Sequence, residues 1–162
     1  MTPALELAIE AGDWPQEQVV QTWFDAALQA ACSAVPLRYQ YSEISAVLSD
    51  DAAMRAINAQ HRGQDTPTNV LSFPALEKCE VENLDGTRPV LLGDLVFAQE
   101  TVQREAEAGQ ISLHHHMSHL IVHGFLHLLG YDHDIDSEAE AMETLETAIL
   151  ASLGIADPYR AS

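Results

Sequence analysis

Apolar residues recur along this chain with two periods, one typical of helices and one typical of strands. The helical period is clearest in the stretch before Cys32, where one face carries Val19, Val20, Trp23, Phe24, Ala27 and Leu28. Pro15 suits a first helical turn and Asp13 can cap it, which predicts a helix that runs from there to about Cys32. Strand-like patterns predict a short first strand at 5–9 and a second strand at 39–48.

The rest of the pattern adds two strands and four helices. Strands are predicted at 69–73 and at 90–97, the latter interrupted by Gly93-Asp94, with an acidic, exposed connection at 77–88 between them. A helix is predicted at 50–60 with Ser49 as its cap, and a polar helix is predicted to end near 108. The next helix is predicted at 112–129, where Gly130 ends it. The last is predicted at 137–153, with Ser137 and Glu140 as a capping box. This order predicts a mixed α/β fold, a single domain over 1–162 with a mixed sheet of about four strands and about five helices, the central helix packed against the sheet.

Composition limits the possible environments and partners. The chain has 162 residues, 47% of them hydrophobic and 20% charged, enough to bury a core without disulfides. No apolar run approaches the roughly 20 residues that cross a bilayer, and the N-terminus lacks a basic signal region, so a cytoplasmic protein without membrane contact is expected. Cys32 and Cys79 are expected to be inert thiols in a reducing compartment. A formal net charge of −18 repels polyanions and, taken alone, argues against nucleic-acid binding.

Histidines interrupt the most apolar predicted helix. His123 and His127 are four residues apart, so their side chains project from one helix face, and His133 follows beyond the helix-ending Gly130. This H-x3-H-x5-H pattern supplies three neutral ligands and leaves a fourth position open, the arrangement of a catalytic zinc site. A lone histidine on an apolar face is usually a satisfied core residue, but the spacing of these three favours a metal site.

Other histidines in this region are weaker candidates. His119 lies four residues before His123 and could compete as a ligand, but His123, His127 and His133 already complete a catalytic set. The run from His114 to His116 is expected to be a solvated helix start.

Gly124 occupies a position that is decisive in zinc peptidases. In peptidases with the pattern H-E-x-x-H, the glutamate after the first histidine is the general base. The site therefore resembles a zincin helix without its base, and peptide hydrolysis is disfavoured.

Three sequence blocks resemble those of one known family. HGFLHLLGYDH at 123–133 closely resembles the signature H-G-x-L-H-L-x-G-Y-D-H of the YbeY family of bacterial metal-dependent endoribonucleases. A second block, Asn58, His61 and Arg62 followed by DTPTNVLSFP at 65–74, and a third, LGDLVFA at 92–98, also match. The chain departs from the family at His61, where the family usually has tyrosine; the histidine ring could still pack or stack there.

This resemblance implies a fold, an activity and partners. It implies one Zn²⁺ per chain held by His123, His127 and His133, with Arg62 as the functional arginine facing the metal cleft of a zincin-like α/β fold. The implied activity is single-strand-specific endoribonuclease cleavage in maturation and quality control of ribosomal RNA, including 16S rRNA 3′ end processing. The implied partners are ribosomal RNA and the small ribosomal subunit with its basic proteins.

The chemistry of the residues agrees with that expectation but leaves alternatives. The guanidinium fork of Arg62 suits phosphate oxygens better than a lysine would, although a surface ion pair is the ordinary role of an arginine in so acidic a chain. Asp65 and Asn69 are expected to shape their loop, while Asp132 and Asp134 are candidates either for orienting an imidazole or for exposed turn positions. The nucleophile is open between a zinc-activated water and the RNA 2′-hydroxyl.

Three functional classes remain. They are a zinc-dependent endoribonuclease, another metallohydrolase, and a ribosome-associated binding factor with a structural metal. Gly124 disfavours the second, an open metal position disfavours the third, and the charge of −18 weakens the first as a stand-alone activity. Recruitment by basic ribosomal proteins would reconcile the acidic charge with an RNA substrate.

Overall fold

Four strands form one mixed sheet in the order β1-β2-β4-β3. The computed structural model describes residues 2–37, 39–76, 89–132 and 134–159. The strands are β1 (Ala4–Ile9), β2 (Ser42–Ser49), β3 (Val70–Pro74) and β4 (Val90–Ala98). β1, β2 and β4 run parallel, whereas β3 pairs antiparallel with β4 and forms one edge of the sheet.

Five helices connect and cover these strands. They are α1 (Glu17–Ala34), α2 (Asp51–Arg62), α3 (Gln99–Ala108), α4 (Leu113–Leu128) and α5 (Asp136–Ser152). The four strands and five helices within the described ranges confirm the predicted mixed α/β domain. None of the helices among these residues is long and apolar enough to span a membrane.

The central strand β4 is buried on both faces of the sheet. Leu95 and Phe97 point into a large core formed with α1, α4 and α5, whereas Val96 and Ala98 point into a smaller cluster with Met54 of α2. Adjacent residues of a strand face opposite sides, so a strand covered by helices on both sides is apolar throughout. The layered packing places α4, the histidine-rich helix, directly against the sheet.

Three predicted helix starts are wrong by one to three residues. α1 begins at Glu17 and not near Asp13, because the Trp14 indole donates to the carbonyl of Ser49 at 3.0 Å and holds this segment against β2. Ser49 itself pairs in the β2–β4 ladder, so Asp50 caps α2 instead by accepting from the Ala53 amide at 2.9 Å.

The capping box predicted for the last helix is also wrong. α5 begins at Asp136, so Ser137 lies inside the helix, and Ile135 stands at the N-cap without a side-chain hydrogen bond.

Gly93 lies within a continuous β4 and does not interrupt it. Its φ is 144°, and a Cβ there would lie 2.3 Å from the carbonyl oxygen of Phe73 in the neighbouring strand. The ladder to β2 skips Leu92, because Glu43 pairs with Leu91 and Ile44 pairs with Gly93. Such an extra residue is a β-bulge, which glycine at positive φ accommodates. The predicted connection at 77–88, with Cys79, lies outside the described residues.

Candidate metal centre

The last turn of α4 ends where the sequence predicts, at Gly130. Gly130 has a φ of 99°, its amide donates to the His127 carbonyl at 3.0 Å, and the Tyr131 amide donates to the Leu126 carbonyl at 3.0 Å. These two bonds form a Schellman motif, which satisfies carbonyls at a helix end and reverses the chain. The reversal brings the backbone of Tyr131 back over the side chain of His127.

His123 and His127 bring their Nε2 atoms within 3.1 Å of each other. Both side chains are half-buried, and their rings meet edge to face with centroids 4.6 Å apart. The Nδ1 atom of His127 lies 2.9 Å from the carbonyl oxygen of Tyr131. Because a carbonyl only accepts hydrogen bonds, Nδ1 carries a proton, so the ring in its neutral form would present a lone pair at Nε2.

A buried carboxylate holds the other ring. The Nδ1 atom of His123 lies 2.6 Å from Oε1 of Glu146, a fully buried residue of α5. The Glu146 Oε2 accepts from His119 Nε2 at 3.2 Å and from the hydroxyl of Tyr159. Burial alone would raise the pKa of Glu146, but the hydrogen bonds from His119, His123 and Tyr159 outweigh it and lower the pKa to about 2. Glu146 is therefore ionised at neutral pH and accepts a hydrogen bond from the Nδ1–H group of His123.

Tyr159 remains a neutral phenol beside this carboxylate. Burial raises the pKa of Tyr159, and its hydrogen bond to Glu146 raises it further. The hydroxyl therefore donates a hydrogen bond to Glu146 and keeps its proton across the physiological range.

The histidine pair fits a bound metal ion. When both rings are neutral and carry their protons at Nδ1, the two Nε2 lone pairs converge on one point, where a cation would be held by both. Two ligands of one tetrahedral zinc ion with bonds of 2.0–2.1 Å stand about 3.3 Å apart. The separation of 3.1 Å between the Nε2 atoms is close to that value. His133, the third predicted ligand, lies outside the described residues.

A second group of donors overlaps this pair. His119, His123 and Glu146 each offer a ligand atom, the three atoms lie within 4.8 Å of one another, and the group could hold a metal ion. The separation of 2.6 Å between His123 Nδ1 and Glu146 Oε1 is nevertheless a hydrogen-bond distance, shorter than that between two ligands of one ion. His119 thus lies closer to the metal chemistry than the sequence predicts.

Arg62 and the histidine pair line the same cleft, which has a volume of about 940 Å³. Its other lining residues come from the β3 edge and the turn after α4: Thr68, Asn69, Val70, Leu71, Ser72, Pro74, Ala75, Leu76, Gly130, Tyr131 and Asp132. Arg62 is the exposed last residue of α2, where Gly63 at a φ of 68° ends the helix. Across the described ranges Arg62 forms no ion pair with a carboxylate, unlike Arg55 and Arg104.

The loop between α2 and β3 is fixed by its own side chains. The side chain of the buried Asn58 donates to the carbonyl of Thr66 at 2.7 Å. The carboxylate of Asp65 accepts hydrogen bonds from Nε and Nη2 of Arg55 at 2.8 and 3.0 Å. The side-chain oxygen Oδ1 of Asn69 accepts from the Val70 amide at 2.6 Å. These contacts agree with the expectation that Asp65 and Asn69 shape the loop.

His61 packs as an aromatic ring beside the cleft. Its ring meets that of Phe73 on β3 edge to face, with centroids 5.3 Å apart. The packing expected at this departure from the family pattern is therefore present, and it ties the end of α2, which carries Arg62, to the edge strand.

Gly124 faces the sheet and not the cleft. A Cβ at this position would lie 2.8 Å from Cδ2 of Leu95 and 3.3 Å from Oγ of Ser72. The Ser72 hydroxyl also donates to the Gly124 carbonyl at 3.4 Å. The glycine thus lets α4 approach β4 and β3 closely, and a glutamate here could not reach the cleft as a general base.

The histidines at the start of α4 make more contacts than a solvated run would. His114 is exposed but stacks on Trp23 with centroids 5.2 Å apart, and burial lowers its pKa. His116 lies 2.9 Å from a carboxylate oxygen of Glu105. His115, His116 and His119 line a separate cleft of about 620 Å³, so the run does not face the histidine pair.

Sequence reasoning missed Glu146 and Tyr159. A usable signal was present, because Glu146 falls at helical spacing among the buried Met142, Ile149 and Leu150, where a carboxylate needs partners. Of the two aspartates considered as orienting groups, Asp132 lines the cleft and Asp134 is exposed.

Comparisons with known proteins give the family. The sequence model of the family described as Endoribonuclease YbeY matches residues 8–154. A protein named Endoribonuclease YbeY from Sinorhizobium medicae is 48% identical over 162 residues, covering 96% of this chain and 94% of that protein. Another of that name from Rhodopseudomonas palustris is 49% identical over 157 residues, covering 97% and 90%.

A solved structure shares the fold. The solution structure of TM1509 from Thermotoga maritima superposes with a TM-score of 0.57 at 18% identity, covering 97% of this chain and 99% of that one. Identity this low supports the fold alone. The family match and the near full-length relatives, in contrast, confirm the resemblance carried by the three sequence blocks: the chain belongs to the endoribonuclease YbeY family.

Proposed function

We propose that this protein is a zinc-dependent endoribonuclease that cleaves single-stranded RNA. The observation that carries the proposal is the shared cleft, whose lining includes Arg62 and the paired histidines His123 and His127. His133, which lies outside the described residues, enters as third ligand from its place in the H-x3-H-x5-H pattern. One zinc ion per chain is the expected content.

The chain supplies positioning and charge around the scissile phosphate. When bound, zinc polarises a phosphate oxygen and lowers the pKa of a water. Arg62 offers a planar fork to phosphate oxygens, and its freedom from carboxylate ion pairs within the described ranges leaves the fork available. Tyr131 adds an aromatic surface to the cleft, on which an unpaired base can stack.

The cellular substrate in this proposal is ribosomal RNA in the cytoplasm, including the 3′ end of 16S rRNA. The formal charge of −18 opposes tight binding of free RNA. Recruitment by basic proteins of the small ribosomal subunit removes that difficulty, because the same charge then attracts the partner.

The proposal is tested by mapping rRNA termini in cells that lack the protein and in cells that carry it. Unprocessed 16S 3′ ends are expected in the deletion and should be restored by wild type and by the control Arg104→Ala, but not by Arg62→Ala. Purified protein should cleave single-stranded RNA faster than duplex. Normal termini in the deletion, together with no cleavage in vitro, would defeat the proposal.

A salt series tests the recruitment. The protein should co-sediment with small subunits at low salt and dissociate as salt rises, since the attraction is electrostatic. Cleavage of naked RNA at physiological salt without any subunit association would contradict it.

The two other classes receive less support. A peptidase of the H-E-x-x-H type needs a general base next to the first ligand histidine, and at this position Gly124 is packed against Leu95 instead. A purely structural metal would not call for an arginine in the same cleft as the histidine pair.

A further inference from the structure

A buried network links the histidine pair to the C-terminal turn of the described chain. Glu146 on α5 accepts from His123 Nδ1 through one carboxylate oxygen at 2.6 Å. Through the other oxygen it accepts from His119 Nε2 at 3.2 Å and from the hydroxyl of Tyr159. Glu146 has no exposed surface, so these three donors stabilise a charge that water does not reach.

The turn after α5 is built to bring Tyr159 to this carboxylate. α5 ends at Ser152, Gly154 follows its C-cap with a φ of 76°, and the buried Ile155 anchors the chain in the core. A side-chain oxygen of Asp157 then accepts from the Tyr159 amide at 2.8 Å and from the Thr147 hydroxyl at 3.3 Å. The ring of Tyr159 packs edge to face on that of His119, so the segment is a folded part of the site.

We propose that Glu146 is a positioning residue for His123, and that Tyr159 and His119 act through Glu146. The inference rests on the proposed function only in taking His123 as a metal ligand. By accepting a hydrogen bond from the Nδ1–H group, Glu146 selects the tautomer whose lone pair is at Nε2. It also fixes the ring rotation that turns Nε2 toward His127. Carboxylates in this role increase the basicity of the ligand nitrogen and also fix the orientation of the imidazole ring.

A ligand role for Glu146 is the competing arrangement. In that case a metal ion would replace the proton between His123 Nδ1 and Glu146, and His119 would be the third donor. The distance of 2.6 Å between His123 Nδ1 and Glu146 Oε1 suits a hydrogen bond and is too short for two ligands of one ion, whereas the 3.2 Å between His119 Nε2 and Glu146 Oε2 is compatible with either arrangement. The Nε2 atoms of His123 and His127, in contrast, already have a separation that suits such ligands.

The experiment measures zinc and cobalt affinity by chelator competition on the full chain after metal removal. Glu146→Gln keeps the shape of the side chain, loses its charge, and should weaken binding about 10- to 100-fold. Its visible Co²⁺ absorption should also change. Tyr159→Phe keeps the ring and should give a smaller loss. Glu140→Gln, an exposed change on the same helix, should match wild type in affinity and spectrum.

Double variants test the order of action. In the Glu146→Gln background, Tyr159→Phe should cause no further loss, because its effect passes through the carboxylate. An equal loss in both backgrounds would show that Tyr159 acts by another route and would overturn that part of the proposal.

Single variants separate this inference from the proposed function. If His127→Ala loses the metal while Glu146→Gln binds like wild type with an unchanged spectrum, positioning is refuted and the ligand pair stands. If His127→Ala retains the metal while His119→Ala and Glu146→Gln abolish binding, the ion belongs to the overlapping group. That result would overturn both the positioning role and the ligand pair.

Discussion

Arg62→Ala is expected to abolish most activity while leaving fold and metal content in place. Arg62 is the exposed last residue of α2 and forms no ion pair with a carboxylate in the part of the chain that the structure describes. Alanine is a good helix former, so the cost in unfolding free energy is limited to a charge near the helix C-terminus, about 0.3–1 kcal/mol. Losing one donor that stabilises transition-state charge typically lowers the rate on the order of 10²-fold, or about 2.7 kcal/mol.

The small expected cost in stability and the large expected loss in rate distinguish a catalytic defect from a folding defect. A domain stabilised by about 5–15 kcal/mol stays folded after losing 1 kcal/mol, so unfolding cannot produce the expected drop in rate. The assay is the initial rate of cleavage of a single-stranded RNA, with zinc content and melting temperature matched among variants. Arg62→Lys should rescue little, because an ammonium group does not reproduce the bidentate fork.

Arg104→Ala is the matched control. Arg104 contacts Asp51 at 3.1 Å and Thr101 at 3.0 Å, and its side chain is 62% exposed. Its loss should cost about 1 kcal/mol of stability or less and leave the rate near wild type. If Arg62→Ala cleaves RNA as fast as Arg104→Ala under these conditions, Arg62 is a surface residue and the metal acts without it.

Three further expectations concern the metal, the packing of α4 and the response to acid. His127→Ala should lose most of its zinc by elemental analysis whereas His115→Ala keeps it; equal zinc in both would contradict the ligand assignment. Gly124→Glu should lower the unfolding free energy by about 3 kcal/mol or more, because its Cβ would lie 2.8 Å from Leu95 Cδ2 and its carboxylate would be buried. An unchanged melting temperature would refute that close contact. Burial would raise the pKa of Asp51, but hydrogen bonds from two side chains of α3 outweigh it and lower the pKa. Asp51 therefore stabilises the fold above the unfolded pKa of about 3.9, and this contribution is lost as pH falls through the lower folded pKa. The unfolding free energy, measured by urea denaturation at a series of pH values, should fall less steeply with acid in Asp51→Asn than in wild type. An identical dependence on pH in the two proteins would count against the assignment.

The spacing of apolar residues was sufficient to predict the helices and strands but not the residues at which they begin and end. The number, type and order of strands and helices follow from apolar spacing, which reports the face that each element buries. The residue at which a helix starts depends on which backbone groups are already hydrogen-bonded to distant parts of the chain. Ser49 is a good capping residue in isolation, yet its backbone is paired in β2 and its carbonyl accepts from Trp14, so Asp50 caps α2.

The site shows the same division between local and distant information. The placement of His123 and His127 on one face follows from four-residue spacing, and the stop at Gly130 follows from helix-capping chemistry, so both are readable locally. The partner of His123 is 23 residues away on another helix, and Tyr159 reaches Glu146 only through a turn. No local pattern specifies such a pairing; a carboxylate on an apolar helix face signals only that some partner exists.

The net charge of −18 limits where affinity for RNA can arise. Repulsion between RNA and distant carboxylates is screened beyond a Debye length of about 8 Å at physiological salt, so the charges lining the cleft matter most. Among the cleft-lining residues that the structure describes, Asp132 is the acidic side chain and Arg62 the basic one. A cation on the histidine pair would make this lining positive within an acidic protein. Few phosphate contacts imply a shallow dependence of catalysis on salt. If the acidic exterior docks on basic proteins, as proposed, recruitment should depend steeply on salt, so the two processes are separable in one titration.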